Sequence, residues 1–150
     1  MPGNRRSIRL PGFHYRGRAS YFVTTCTSRR ARVLARVAEG CSLPTPLGGV
    51  VLRQWQAIET RDPAIRLDEM VVMPDHVHGI LHFGMAARVT LPRVVAWFKG
   101  TVVVNARRNG LWDQAPLWQR GYFERVIRTQ QQMDRTRVYI RANPTNWIDP

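Results

Sequence analysis

The chain has 150 residues, 44% of them hydrophobic, and its 23 Lys and Arg against 10 Asp and Glu give a formal net charge of +13. That length fits one domain, 1–150, with a core of its own, and the apolar fraction excludes a disordered tail. No apolar run approaches the ~20 residues that cross a bilayer, so no membrane partner is expected.

The charge surplus favours a polyanionic partner, nucleic acid before others. Only Lys99 among the basic residues is lysine. Arginine suits bidentate phosphate contacts, although GC-rich coding yields the same skew. The N-terminus is basic but has no apolar core after it, so a secretory leader is not expected. Cys26 and Cys41 lack metal-ligand spacing and read as reduced thiols of a cytoplasmic protein, nucleoid-associated when DNA is bound.

Residues 1–18 carry Arg5, Arg6, Arg9, Arg16 and Arg18 among Gly and Pro with no period. They read as a basic arm able to lie along a phosphate backbone, or equally as a solvated terminus. Ser20 to Thr27 is β-branched and aromatic, a first strand. Arg29, Arg30, Arg32 and Arg36 follow in a loop or irregular segment. Val50, Val51, Trp55 and Ile58 recur at helical spacing in a helix that begins near Gly48 and ends at Arg61-Asp-Pro. A second strand runs from Ile65 to Met73. Pro74-Asp75 then turns tightly into a third strand.

Leu91, Val94, Val95 and Phe98 mark an amphipathic helix to about Asn109, with Gly110 as its stop. Leu117–Arg128 reads as a final strand, and Gln130–Ala142 as a polar helix closed by Asn143-Pro144. The order β-α-β-β-α-β plus a helix predicts an α+β fold, a ferredoxin-like βαββαβ antiparallel sheet with an added C-terminal helix. The two crossover helices cover one face.

The informative stretch is Val71-Val-Met-Pro-Asp-His-Val-His-Gly-Ile80. In a strand, His76 and His78 project from the same side, ~6–7 Å apart at Cα, and the apolar Val77, Gly79, Leu81 and Phe83 face the other way. Both imidazoles can grip one divalent cation. Alone, such a pair is more often an ordinary solvated one; the basic context and the hairpin raise its weight. His82 has the same parity but lies ~13 Å beyond His78, outside one metal shell. A histidine-triad hydrolase would need a third histidine where Ile80 stands.

Phosphoryl transfer also needs a nucleophile. Tyr139 and Asn143 are one helical turn apart and share a face, so a phenol and an amide oxygen can meet one phosphate. A lone helical tyrosine is more often packing. Tyr122 is the competing tyrosine and reads as structural.

With these residues in view, the chain resembles the REP-associated tyrosine transposases, within the small single-strand transposases that carry a His-hydrophobic-His motif. The resemblance runs through Asn4-Arg-Arg-Ser-Ile-Arg-Leu-Pro-Gly12, Tyr21–Thr27, Val71–Ile80, Trp97-Phe-Lys-Gly100, Trp118–Arg128 and Tyr139-Ile-Arg-Ala-Asn-Pro144. It implies His76, His78 and Asn143 as ligands of Mg²⁺ or Mn²⁺, and Tyr139 as the nucleophile that forms a 5′-phosphotyrosine. The partner it implies is single-stranded DNA with hairpin, palindromic ends, with Arg5, Arg6, Arg9, Lys99 and Arg120 as candidate DNA contacts. Monomer and homodimer are both compatible. Two departures stand out: Asp75 where relatives often have Asn or Glu, and Gly100 where serine is common. A non-catalytic binder derived from a transposase, and a nuclease that uses water instead of tyrosine, remain the alternatives.

Overall fold

Strand parity decides how the layers assemble. A computed structural model of the chain describes residues 18–148, and within it the elements run β1 (Ala19–Cys26), β2 (Ala35–Ala38), β3 (Cys41–Pro44), α1 (Pro46–Arg61), β4 (Ile65–Val72), β5 (His76–Phe83), α2 (Leu91–Arg108), β6 (Phe123–Ile127) and α3 (Gln130–Ala142). Four strands form one sheet in the order β4-β5-β1-β6, every neighbour antiparallel. With α1 and α2 as crossovers this is the expected ferredoxin-like arrangement.

Odd-numbered residues of β1 and β5, Tyr21, Val23, Val77, Leu81 and Phe83, join Val50, Val51, Trp55 and Ile58 of α1 and Val94, Val95, Phe98 and Val102 of α2 in the main core. Gly79 is required there. A Cβ on it would sit 2.2 Å from Trp55 Cζ2, so the indole lies where any larger residue would go. Trp55 in turn meets Phe98 edge-on at 5.4 Å.

The even-numbered residues face α3. Phe22, Ile80 and Ile127 lie beneath Met133 and Ile140 in a smaller apolar cluster. Two ion pairs tie α3 to β4: Arg137 donates to both Asp68 oxygens at 2.9 and 2.7 Å, and Arg141 lies 3.4 Å from Glu69. Consecutive strand residues normally point to opposite faces. The register shift between Leu67 and Met70 relaxes that alternation, and both carboxylates reach the same helix. Thr129 and Gln132 close a capping box at the N-terminus of α3, which satisfies two free donors there.

Three local expectations change. Arg36, placed by the sequence in a loop or irregular segment, lies in a two-stranded ribbon of residues 35–44, β2 with β3. Its turn at Glu39-Gly40 has positive φ at both residues, the geometry that suits a tight hairpin, and Ser42 Oγ donates to the Val72 carbonyl to seat it on β4. The last strand, expected over Leu117–Arg128 with an irregular start, is regular only over Phe123–Ile127. Residues 117–122 run irregularly because they are held from the side: Lys99 Nζ donates to the carbonyls of Gln119 and Gly121 at 2.9 and 2.8 Å, and Trp118 Nε1 donates to the Lys99 carbonyl. Finally, α1 begins at Pro46, with Thr45 accepting from the Gly48 N–H as its cap.

Candidate active site

The two imidazoles emerge side by side from the start of β5, ring centroids 4.5 Å apart, each only 7% exposed. Each ring is oriented by a hydrogen bond at Nδ1. His76 Nδ1 donates to Asp75 Oδ1 at 2.7 Å, and His78 Nδ1 lies 2.8 Å from Thr24 Oγ1, a hydroxyl able to accept its N–H. Thr24 stands opposite His78 in the β1–β5 register. With both Nδ1 atoms engaged, Nε2 is the nitrogen each ring has left to offer a metal.

Asp75 is itself held. Arg30 Nε donates to its second oxygen at 3.0 Å, and Arg30 Nη1 reaches Cys26 Sγ at 3.3 Å. Arg29 and Arg30 both adopt positive φ, 55° and 54°, a conformation that costs a non-glycine residue roughly 1 kcal/mol or more. That short turn brings the Arg30 guanidinium to Asp75 and to the wall of the cleft. Hydrogen bonds from His76 and Arg30 outweigh burial and hold the Asp75 carboxyl below its ordinary range. Burial pushes the His78 pKa down to about 3, with the charges of His76 and Arg30 adding to the effect. His78 is therefore neutral across the physiological range, the state a metal ligand needs.

Tyr139 comes down from α3, 53% exposed, its ring 5.4 Å from that of His78 and 6.0 Å from that of Phe22. Phe22 stacks on His78 at 5.1 Å, and the Arg125 guanidinium lies over Phe22. Asn143 caps α3. Its Nδ2 donates to the Tyr139 carbonyl at 2.9 Å, which leaves Oδ1 available. His76, His78, Tyr139, Asn143, Arg30 and Arg125 all line one cleft of about 540 Å³. The ring of Trp147 borders it, 6.4 Å from His76.

The structure thus brings together all four residues singled out for chemistry. It does not gather the five candidate DNA contacts. Arg5, Arg6 and Arg9 lie outside the described residues. Arg120 is exposed on the loop that Lys99 holds. Lys99, expected on the nucleic-acid surface, spends two of its three donors inside the protein, and neither it nor Arg120 lines this cleft. Tyr122 donates to Glu124 at 2.6 Å, away from the site. His82 bridges Ser20 and Asp68 and so belongs to the docking of α3.

Sequence reasoning missed Thr24, Arg30, Phe22 and Arg125. Aligning the first strand against the histidine strand would have found Thr24. Nothing local marks Arg30, whose position depends on a left-handed turn.

As a cation site, the donor set is two imidazole nitrogens and one amide oxygen. Among the described residues no group of three His, Cys, Asp or Glu can hold a metal by itself. The oriented rings and the Asn143 oxygen are donors of the kind that could hold a divalent ion.

The class of this mixed sheet-and-helix domain follows from comparison with known proteins. Residues 50–143 match the family model described as transposase, IS200-like. An uncharacterized protein of Haemophilus influenzae is 32% identical, covering 96% of this chain and 90% of that protein. The fold is similar to that of a REP-associated tyrosine transposase solved bound to a REP hairpin, with TM-score 0.69 and 18% identity over 95% of this chain and 76% of the other. It is also similar to a Deinococcus radiodurans R1 protein described as a transposase, with TM-score 0.58 and 19% identity over 89% and 95% of the two chains. The chain belongs to the IS200-like transposase family. Its class of activity is accordingly that of an enzyme acting on DNA.

Proposed function

We propose that this protein is a metal-dependent single-stranded DNA endonuclease and strand transferase that cuts at hairpin-flanked sites through a 5′-phosphotyrosine on Tyr139. The observation that carries the reading is the exposed Tyr139 ring standing beside His78, whose Nε2, like that of His76, is left free by the hydrogen bond at Nδ1.

In this reading His76, His78 and Asn143 hold a Mg²⁺ or Mn²⁺ ion. When bound, the ion polarises the scissile phosphate and neutralises its developing charge. Asp75 and Thr24 fix the two rings in the ligating orientation, and Arg30 fixes Asp75. Tyr139 Oη attacks phosphorus in line: the O–P bond forms, the P–O3′ bond breaks, and the phenol's proton is balanced by the one the departing 3′ oxygen takes up. The phosphodiester energy stays in the tyrosyl ester, so another 3′-hydroxyl can rejoin the strand without a nucleotide cofactor. Arg125 and Arg30 line the cleft, and their positive charge favours the flanking phosphates. Tyr139 reaches the histidines of its own chain, which supports a monomer as the working unit.

A denaturing gel with an end-labelled single-stranded hairpin oligonucleotide and Mn²⁺ tests this. A covalent protein–DNA adduct is expected, absent in Tyr139→Phe. Free ends with no adduct would point to water as the nucleophile, and adduct that survives in Tyr139→Phe would rule out this tyrosine.

A further inference from the structure

The end of the sheet farthest from His76 carries two further clefts. One, about 490 Å³, lies against His82 and Ile127 on the α3 side and is lined by Arg18, Arg66 and Arg128. The other, about 690 Å³, opens between the C-terminus of α1 and the start of α2 and is lined by Arg61, Arg88 and Arg93. The segment 61–66 is the ridge between them: Arg61, Asp62 and Ile65 line one side, Ala64 and Arg66 the other.

Charge within these clefts is nearly all of one sign. Among the described residues Asp62 is the single carboxylate lining either, and it is consumed: buried, its Oδ1 accepts the Ala64 N–H at 3.1 Å and its Oδ2 the Arg88 N–H at 2.7 Å. These bonds pin the loop bearing Arg88 against the end of α1. The Arg61 guanidinium carbon lies over the Trp97 ring, 4.4 Å from its centroid, which pre-orients the group. Among the described residues, the side chains of Arg66, Arg88 and Arg93 make no hydrogen bond or ion pair. Concave surfaces with one sign of charge focus potential on an anion.

We propose that this pole is a clamp for duplex DNA, separate from the cleft that cuts. The ridge 61–66 enters a groove, and each flanking cleft receives one sugar–phosphate backbone. Grooves of B-form DNA are roughly 6 and 12 Å wide, wide enough for a ridge one chain thick. A single strand offers one backbone and fills one cleft only. From His76 to Phe83 the strand rises about 23 Å at ~3.3 Å per residue. The clamp and the histidines therefore engage different parts of one DNA, the paired stem here and the scissile strand there. The inference rests on the DNA-cutting reading above for its choice of ligand, but not on Tyr139.

The test compares wild type with Arg66→Ala/Arg88→Ala/Arg93→Ala for binding to a hairpin oligonucleotide and to an unstructured one of equal length, across a salt series. A control variant, Arg53→Ala/Arg107→Ala/Arg108→Ala, removes the same charge from exposed positions elsewhere. Each lost phosphate contact lowers the slope of log affinity against log salt by about 0.9. The clamp variant should lose about 2–3 units of slope and at least tenfold in affinity for the hairpin, well beyond the control, with a smaller loss for the unstructured strand. All these positions are exposed, and thermal unfolding checks that the variants remain folded. Equal losses in clamp and control variants would reduce the pole to general charge and overturn it. An unchanged hairpin slope would overturn it as well, and equal losses on both DNAs would overturn the duplex assignment. If wild type forms no adduct yet binds hairpins in a clamp-dependent way, the cutting chemistry fails and the clamp stands.

Discussion

The two faces of β5 put opposite demands on one strand. Val77, Gly79, Leu81 and Phe83 meet α1 and α2 in a sealed apolar layer, whereas His76, His78 and His82 face α3 with each Nδ1, and the Nε2 of His82, tied to a hydroxyl or carboxylate. The domain divides its labour between them. The sealed face fixes where the strand lies. The other face can then afford buried imidazoles and an open cleft, because its position does not depend on its own packing.

The contrast is broken most forcefully from the sealed side. Trp55→Ala removes a 3%-exposed indole and leaves a cavity above Gly79, and is expected to cost ~3–5 kcal/mol in urea or thermal unfolding. Gly79→Ala attacks the same contact by overpacking, with an expected loss of ~1–3 kcal/mol. Each should weaken the site only by unfolding the protein. A variant that stays fully folded but loses metal binding would show that the two faces are not separable in this way.

Next in size are the residues that hold the rings. Asp75→Ala and Thr24→Val leave His76 and His78 in place but free to turn. Each is expected to weaken Mn²⁺ binding ~10–100-fold by calorimetric titration. If affinity does not change, the ring orientation comes from Phe22 and Trp147 packing rather than from Nδ1.

A third change acts on the helix that delivers Tyr139. Hydrogen bonds from Arg137, and then from His82, hold the Asp68 carboxyl well below its ordinary value of 3.8. A depressed carboxyl contributes stability that is fully present above its unfolded pKa and is lost as pH falls through the folded one. Asp68→Asn should therefore cost ~2 kcal/mol at pH 7, and the gap to wild type should shrink as pH drops below 3.8. A gap independent of pH would mean that the Arg137 pairing contributes nothing to the docking of α3.

How far the sequence discloses this molecule follows the same division. Features that repeat with a period are legible: the alternation of β5 separates its histidines from its core residues, and the i, i+4 step joins Tyr139 to Asn143 on one helix face. Features set by chain crossing are not. Thr24 meets His78 only through the register of two strands more than fifty residues apart in the chain. Arg30 reaches Asp75 only because two arginines turn left-handed. Lys99 looks like a surface cation from its isolation, yet its ammonium serves the 119–121 carbonyls, because the last strand starts later than its apolar pattern suggests.

The smallest expected effect on folding separates chemistry from packing most sharply. Tyr139 is 53% exposed, and its ring meets those of Phe22 and His78 in edge-to-face pairs. Tyr139→Phe keeps those ring contacts and removes one hydroxyl. Its unfolding free energy should stay within ~0.5 kcal/mol of wild type, as for surface substitutions in general. A tyrosine retained for packing would show its loss in stability, whereas one retained for its hydroxyl shows it only in the adduct. A stability loss of several kcal/mol on Tyr139→Phe, with adduct formation intact, would move this residue from the reactive face to the structural one and leave the histidine pair without a partner in its own chain.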